Sequence, residues 1–217
     1  MLGVELNSAE FLNRAAQELL RVNPEELSTL ATLIYECYEN DQTVFICGNG
    51  GSGSNASHLC EDLGKGSLRR EDFDDESKRR LRVLSLTDCT PYILAWANDE
   101  GYDRIFLEQL KNLARPGDLL IAISGSGNSP NILRAVEWAH QKGMKTYGCT
   151  GFTGGKLREL AQHGFHVPLD DMGLVESIHL TAFHWVIDEM YRRIGLEQDA
   201  CRNSSASKSE APSSKSA

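Results

Sequence analysis

Two glycine- and serine-rich loops, each between a β-type run and a helical run, constrain this chain most. The first loop, at 48–55, reads G-N-G-G-S-G-S-N and follows the β-type run 43–47. The second, at 124–131, reads S-G-S-G-N-S-P-N and follows the run 118–123. Glycine lets the backbone approach a ligand with its N–H groups exposed, and the helix that follows directs its positive dipole end to the same place. Both loops are therefore predicted to bind an anion, and the hydroxyls without Lys or Arg favour a small phosphorylated metabolite.

Helical and β-type patterns alternate along the rest of the chain. Apolar residues recur at helical spacing over 9–22 and 24–38, before the first β-type run. Strands that alternate with helices form parallel sheets with helices on both faces. We predict an α/β fold, a three-layer αβα sandwich with a five-stranded parallel sheet, preceded by two N-terminal helices. The remaining β-type runs are 81–86, 118–123, 145–149 and 164–168.

One domain of ordinary size fits the length of 217 residues. Residues 1–40 are assigned to the two N-terminal helices, which pack on the domain and in an oligomer, and residues 41–196 to the α/β domain. A final helix over 174–194 is apolar on more than one face, so we expect it to be buried. Residues 202–217 are rich in Ser, Ala and Lys, lack large apolar side chains, and are predicted to form a disordered tail.

Charge and hydropathy exclude several classes of protein. The net charge of -9 and the absence of a concentrated basic patch argue against nucleic acid or a membrane as a partner. The chain has no long apolar run and no secretory signal pattern at its start, so we expect a cytoplasmic protein. The six cysteines form no C-x-x-C pair and are expected to be buried, reduced thiols. The charged stretch 69–82 around Phe73 is predicted to be an exposed loop whose charges pair with each other.

Two pairs of acid–base groups lie in helical segments. His58 and Asp62 are four residues apart after the first loop, so they share one helix face. Glu176 and His184 are separated by about 80° of rotation on the final helix and can reach one pocket. A histidine with a carboxylate beside an anion-binding loop indicates proton transfer or metal ligation. Each of these features has a structural alternative. The first pair is also explained by a contact on the protein surface, and His184 by a histidine buried in the core.

Five motifs follow one another in the chain. They read G-N-G-G-S at 48–52, H-x-x-E-D at 58–62, I-S-x-S-G-N-S at 123–129, T-G-x-x-G-G-K-L at 150–157 and E-S-I-H-x-x-x-x-H at 176–184. In this order they resemble the sugar isomerase (SIS) domain and, within it, the phosphoheptose isomerase family. The resemblance implies a homotetramer with active sites between subunits. It also implies interconversion of sedoheptulose 7-phosphate and an aldoheptose 7-phosphate, with a divalent metal such as zinc.

The resemblance further implies roles for individual residues. Asp62 is implied as the base and His184 as the acid of a reaction through an enediolate. The implied metal ligands are His58, Asp62, Glu176 and His184. The implied substrate-binding residues are Asn49, Gly50, Gly51, Ser52, Asn98, Asp99 and Glu176, with Ser124, Gly125, Ser126 and Ser129 for the phosphate. For Asn98 and Asp99, capping of the helix near Tyr102 is an open alternative.

Two positions depart from the family pattern. Asp62 stands where the family usually has Glu, and a retreat of about 1 Å by a catalytic group can cost about a hundredfold in rate. Glu61 next to it has the full length but points about 100° away around the helix, and it remains the second candidate. Glu176 replaces the usual Gln and adds a negative charge. We interpret the two changes as a retained site with an altered metal or substrate preference.

Two alternatives to a heptose phosphate isomerase stay open. One is a non-catalytic sugar-phosphate sensor or a protein that associates with a replication initiator, and the acid–base residues of this chain argue against it. The other is an isomerase or aldolase-like enzyme that acts on a shorter sugar phosphate, which the changed carboxylates could accommodate.

Overall fold

A five-stranded parallel sheet forms the centre of the computed structural model, which describes residues 6–209. The strands are β1 (Thr43–Gly48), β2 (Arg82–Ser85), β3 (Leu119–Ser124), β4 (Lys145–Gly151) and β5 (His163–Val167). Their order in the sheet is β2-β1-β3-β4-β5. All four pairings are parallel, so the predicted α/β architecture is confirmed.

Within the described residues, eight α-helices surround the sheet. Local signals explain where the first two begin, since Asn7 and Glu10 form a capping box, and Pro24 occupies the first turn after the Asn23 cap. The helices are α1 (Ser8–Leu19), α2 (Pro24–Glu39), α3 (Gly50–Gly66), α4 (Thr90–Asp99), α5 (Leu107–Leu113), α6 (Pro130–Gln141), α7 (Gly155–Leu160) and α8 (Met172–Ser209).

One hydrophobic core lies on each face of the sheet, which gives the three predicted layers. Buried side chains of α2, α3 and α8, such as Ile34, Leu59 and Phe183, pack on one face. Buried side chains of α5, α6 and α7, such as Leu110 and Ile132, pack on the other. Because both faces are covered, every residue of β3 is buried, as expected for a central parallel strand.

The two N-terminal helices differ in burial. Side chains of α2 belong to the same core as the sheet. Helix α1 has no buried residue in the described part of the chain, and its Phe11 and Leu12 are exposed. The division at residue 40 stays a prediction, although α2 shares its core with the domain that follows.

Helix α8 is longer than the predicted 174–194. It extends to Ser209 because the sequence from 196 to 209 contains neither Gly nor Pro, so nothing in the chain stops the helix. The helix therefore includes residues 202–209 of the predicted tail, while 210–217 lie outside the described residues. None of the helices in the described range 6–209 has an apolar stretch long enough to cross a membrane.

The charged stretch 69–82 is connected to other elements. Arg69 pairs with Asp199 of α8, and Arg82 pairs with Asp41 at 3.4 Å. The predicted internal pairing therefore does not account for these two arginines, because each of them pairs with a carboxylate outside the stretch. Phe73 is exposed, as predicted for a surface loop.

Burial agrees with the prediction for most of the five cysteines whose side chains the structure describes, and the side chain of Cys201 lies outside that part of the chain. Cys37, Cys47 and Cys149 are buried free thiols and Cys60 is partly buried. Burial raises the pKa of the Cys37 thiol to about 12, so this thiol is unreactive at neutral pH. Cys89 is exposed, contrary to the prediction, because it lies in the turn that leads into α4.

Candidate active site

The first glycine-rich loop leads directly from β1 into α3. Asn49 is the residue before the helix, and its side chain does not cap the helix. The backbone N–H groups of the first helical turn therefore remain available to a ligand. Gly50 has a φ of +53°, a conformation that favours glycine.

The second loop leads from β3 into α6. Gly127 has a φ of +65°, and a Cβ at this position would overlap the carbonyl oxygen of Gly154. Ser129 precedes α6 without capping it, and its Oγ lies 3.3 Å from Oγ of Ser124. The loop thus brings two hydroxyls together at a second helix N-terminus.

The two loops enclose a cavity of about 240 Å³. They are adjacent because β1 and β3 are neighbours in the sheet, at the point where the strand order reverses and ligands bind in such folds. Apart from Glu176, the described residues that line the cavity are uncharged, so its polar groups are hydroxyls, amides and backbone. The lining consists of Asn49, Gly50, Gly51, Ser52, Ile123, Ser124, Gly125, Ser126, Ser129, Met172 and Glu176.

Glu176 belongs to this cavity. Its carboxylate extends from α8 to the start of α3, where a Cβ on Gly51 would overlap it. The Asn55 side chain donates a hydrogen bond to the Glu176 backbone carbonyl at 2.9 Å, which ties the two helices together. The positive dipole end of α3 favours a carboxylate at this place.

His58, Asp62 and His184 meet between α3 and α8. One possible ligand atom of each residue lies within 4.8 Å of the others. The His58 Nε2 is 3.1 Å from the Asp62 Oδ2, and the rings of His58 and His184 contact edge to face at 5.1 Å between centroids. Two imidazoles and one carboxylate suit a divalent metal such as zinc, and they equally suit proton transfer.

The cluster of His58, Asp62 and His184 and the cavity lie at different levels along α3 and α8. Gly51 faces Glu176 near the starts of the two helices, and His58 faces His184 farther along. Gly51 precedes His58, and Glu176 precedes His184, by about two helical turns. At a rise of 1.5 Å per residue, the two levels are about 10–12 Å apart along the helix axes. The structure therefore brings together three of the four implied metal ligands and places Glu176 with the anion cavity.

Three other predicted residues lie outside both places. Asn98 and Asp99 end α4, are exposed, and contact each other through a hydrogen bond of 2.7 Å. Neither lines the cavity in this single chain, and no side-chain cap connects them to the short 3-10 turn Tyr102–Arg104. Glu61 is exposed and is not part of the histidine cluster, so Asp62 is the carboxylate of this pair that joins it.

Tyr102 and Asn131 hold Asn49 in place, and neither was among the predicted site residues. Tyr102 Oη lies 3.1 Å from Asn49 Oδ1, and the Asn49 and Asn131 amides form two reciprocal hydrogen bonds. Asn131 ends the second loop motif, so its place in the loop was a usable signal. No local pattern marks Tyr102, because its contact spans 53 residues.

A buried histidine lies behind the site on α8. His179 is fully buried, and its Nε2 lies 3.2 Å from the Thr150 carbonyl oxygen. Burial, together with His166 nearby, lowers the pKa of His179 to about 4. This imidazole is therefore neutral at physiological pH, and it is a structural rather than a charged group.

The model of the family described as SIS domain matches residues 9–151. A phosphoheptose isomerase from Helicobacter pylori (strain P12) is 37% identical over 187 residues, which span 85% of this chain and 93% of the relative. The similarity therefore extends well beyond the two loops, to α8.

Solved structures agree with this relationship. A phosphoheptose isomerase from Neisseria gonorrhoeae has a TM-score of 0.75 and 31% identity, with 84% of this chain and 95% of that chain covered. A phosphoheptose isomerase from Francisella tularensis has a TM-score of 0.74 and 29% identity, with 86% and 100% covered.

Proposed function

Because the chain belongs to the SIS domain family and, within it, to the phosphoheptose isomerases, we propose that it interconverts sedoheptulose 7-phosphate and an aldoheptose 7-phosphate. The family membership makes it a phosphosugar isomerase. One observation supports the reaction most: His184 of α8 meets Asp62 and His58 of α3. Aldose–ketose isomerisation needs such a combination of a base with groups that stabilise the enediolate.

The cavity between the two loops is the proposed phosphate site. Its hydroxyls and the N-terminal N–H groups of α3 and α6 are neutral donors for a phosphate ester. In a seven-carbon substrate the phosphate is at one end and the reacting carbons are at the other. The cavity and the histidine cluster lie at levels about 10–12 Å apart along the axes of α3 and α8, which fits this division. Phosphate binding then supplies energy that orients the reacting carbons.

Proton transfer is assigned to Asp62 and His184. Asp62 removes the proton from the carbon next to the carbonyl, and His184 stabilises the oxygen that gains negative charge. Asp62 then returns the proton to the neighbouring carbon, and His184 passes the hydroxyl proton of the enediolate from one oxygen to the other, which completes the reaction. His58, at 3.1 Å from Asp62, holds the shorter carboxylate in one orientation.

The proposal includes a divalent metal, with zinc as the first choice. His58, Asp62 and His184 would hold it, because two imidazoles and one carboxylate with an open position are typical ligands of catalytic zinc. When bound, such an ion supplies charge stabilisation to the substrate oxygens. The position of Glu176 does not support it as the fourth ligand.

A homotetramer with sites between subunits is also part of the proposal. Large exposed apolar side chains on α1 and α8 support it, since such surfaces are typical of interfaces. Trp185, next to His184, is one of them, so an interface there would also cover the histidine cluster. Light scattering on the purified protein measures the state directly. The exposed side chains are Phe11, Leu12, Leu19, Trp185, Tyr191 and Leu196.

We place the reaction in the cytoplasm. Phosphate esters are charged and do not cross membranes unaided, so a substrate of this class stays inside the cell. The free thiols Cys37, Cys47 and Cys149 also fit a reducing compartment.

The test is deuterium exchange with ketose phosphates of five to seven carbons in heavy water. We expect solvent deuterium on carbon in sedoheptulose 7-phosphate, together with an aldose product, and no exchange with an Asp62→Asn variant. Exchange with a shorter ketose alone would reassign the substrate. Binding of phosphate esters without exchange in any of them would favour a sensor instead.

A further inference from the structure

We propose that Tyr102 is a positioning residue that acts through Asn49. With Asn131, it fixes the Asn49 amide so that Asn49 faces the cavity as a hydrogen-bond donor. The inference rests on the proposed function, because it concerns how the substrate is bound in the same cavity.

The orientation of the Asn131 amide follows from its own backbone neighbour. The N–H of Ile132 donates to Asn131 Oδ1 at 3.0 Å, which identifies that atom as the oxygen. Asn131 is 1% exposed, so water does not compete for this contact. The Asn49 Nδ2 donates to the same Asn131 oxygen at 2.9 Å, and the Asn131 Nδ2 donates back to Asn49 Oδ1 at 2.8 Å.

Tyr102 completes the arrangement. Its hydroxyl donates to Asn49 Oδ1 at 3.1 Å. An amide oxygen has two acceptor sites, and Asn131 and Tyr102 fill both. One N–H of Asn49 is used by Asn131, and the second is left for a ligand. Since Asn49 lines the cavity, the ligand atom opposite it must accept a hydrogen bond, as a phosphate, carbonyl or hydroxyl oxygen does.

The turn that carries Tyr102 is anchored to the same helix as Asn131. Asp103 pairs with Arg134 of α6 at 2.5 Å, and Asn131 lies in the first turn of α6. Both partners of Asn49 are therefore fixed to one rigid element. Tyr102 itself is 56% exposed, so removal of its hydroxyl creates no buried cavity.

The experiment measures kcat and KM of a Tyr102→Phe variant with the ketose phosphate that the enzyme accepts. Loss of one hydrogen bond to the amide should raise KM about three- to tenfold and leave kcat within about twofold. Tyr92→Phe is the matched control. It removes a phenol hydroxyl that bonds the Glu108 carbonyl in a different cavity, and we expect no change.

A double-mutant cycle tests whether Tyr102 acts through Asn49. In an Asn49→Ala background, Tyr102→Phe should raise KM no further. A wild-type KM for Tyr102→Phe, the same rise in both backgrounds, or a fall in kcat alone would overturn the inference. If the wild-type protein isomerises none of the sugars, the proposed function fails. The role of Tyr102 is then tested by measuring the Kd for inorganic phosphate in the same double-mutant cycle. Weaker binding by Tyr102→Phe that disappears in the Asn49→Ala background supports the inference, and unchanged binding overturns it.

Discussion

The Glu176 carboxylate occupies the space in which any side chain on Gly51 would stand. Through this contact α8 places a negative charge inside a cavity whose other described lining residues are uncharged. Two unit charges 5 Å apart repel by about 3 kcal/mol at an effective dielectric constant of 20. Glu176 therefore limits the affinity of the cavity for a phosphate.

Glu176→Gln should strengthen the binding of inorganic phosphate by up to about a hundredfold, because it removes this repulsion of about 3 kcal/mol and keeps the shape. Isothermal titration calorimetry measures the change. Glu137→Gln, which removes an exposed carboxylate from α6, is the matched control and should leave binding unchanged. We expect the zinc content to stay constant. Loss of zinc with unchanged phosphate affinity would instead make Glu176 a metal ligand.

Asp62→Asn should lower kcat by about 10²- to 10⁴-fold, since the amide cannot accept the proton. Asp62→Glu should keep the reaction, because it restores a carboxylate on the same helix face. Deuterium exchange into the substrate measures both variants. Glu61→Gln, one residue away and exposed, should remain within about twofold of the wild type. The assignment of the base is wrong if Glu61→Gln is the variant that loses exchange.

Gly127→Ala should lower the free energy of unfolding by about 2 kcal/mol or more. Its φ of +65° disfavours alanine, and the new Cβ would overlap the Gly154 carbonyl oxygen. Gly50→Ala has a similar φ of +53° but open space around the Cβ, so about 1 kcal/mol is expected. Urea denaturation compares the two. Equal losses would show that the contact with Gly154 contributes nothing.

His179 should make the protein less stable as the pH falls from about 6.5 to about 4. In this window the unfolded chain binds a proton at His179, whereas the folded protein does not, because burial lowers its pKa to about 4. The loss amounts to about 3 kcal/mol across the window and none is expected above it. Urea unfolding at fixed protein concentration measures it.

The matched variant for this pH effect is His179→Gln, which keeps a donor for the Thr150 carbonyl and does not titrate. Its free energy of unfolding should depend less on pH between 6.5 and 4 than that of the wild type. An identical slope in the two proteins would assign the pH dependence to other groups.

The sheet and both loops could be predicted from the sequence because their signals are local. A strand, a glycine-rich turn and a helix follow one another within about fifteen residues at 43–58 and again at 118–132. Parallel strands then bring the two turns to the same edge of the sheet. His58 and Asp62 are likewise set by their spacing on one helix.

The position of Glu176 could not be predicted in the same way. The rotation of about 80° between Glu176 and His184 places both on one side of the helix, which predicted a shared pocket. The two residues are also separated by a rise of about 12 Å along the helix axis, which the rotation angle does not include. How α8 packs against α3 decides which residue each side chain meets, and here Glu176 meets Gly51 while His184 meets His58. Tyr102 was missed for a related reason, because the fold of the chain after α4 brings it to Asn49.

The pairing of β1 with β3 has one more consequence. These neighbours are separated in the chain by α3, β2, α4 and α5, and α8 also lines the cavity, so no fragment that lacks one of these parts contains the complete cavity. A phosphate ester bound there bridges two loops that are far apart in the sequence and adjacent only in the folded protein. By mass action, a ligand at a hundred times its Kd adds about 2.7 kcal/mol to the folded state. The amount of native enzyme in a cell should therefore rise with the supply of its own substrate.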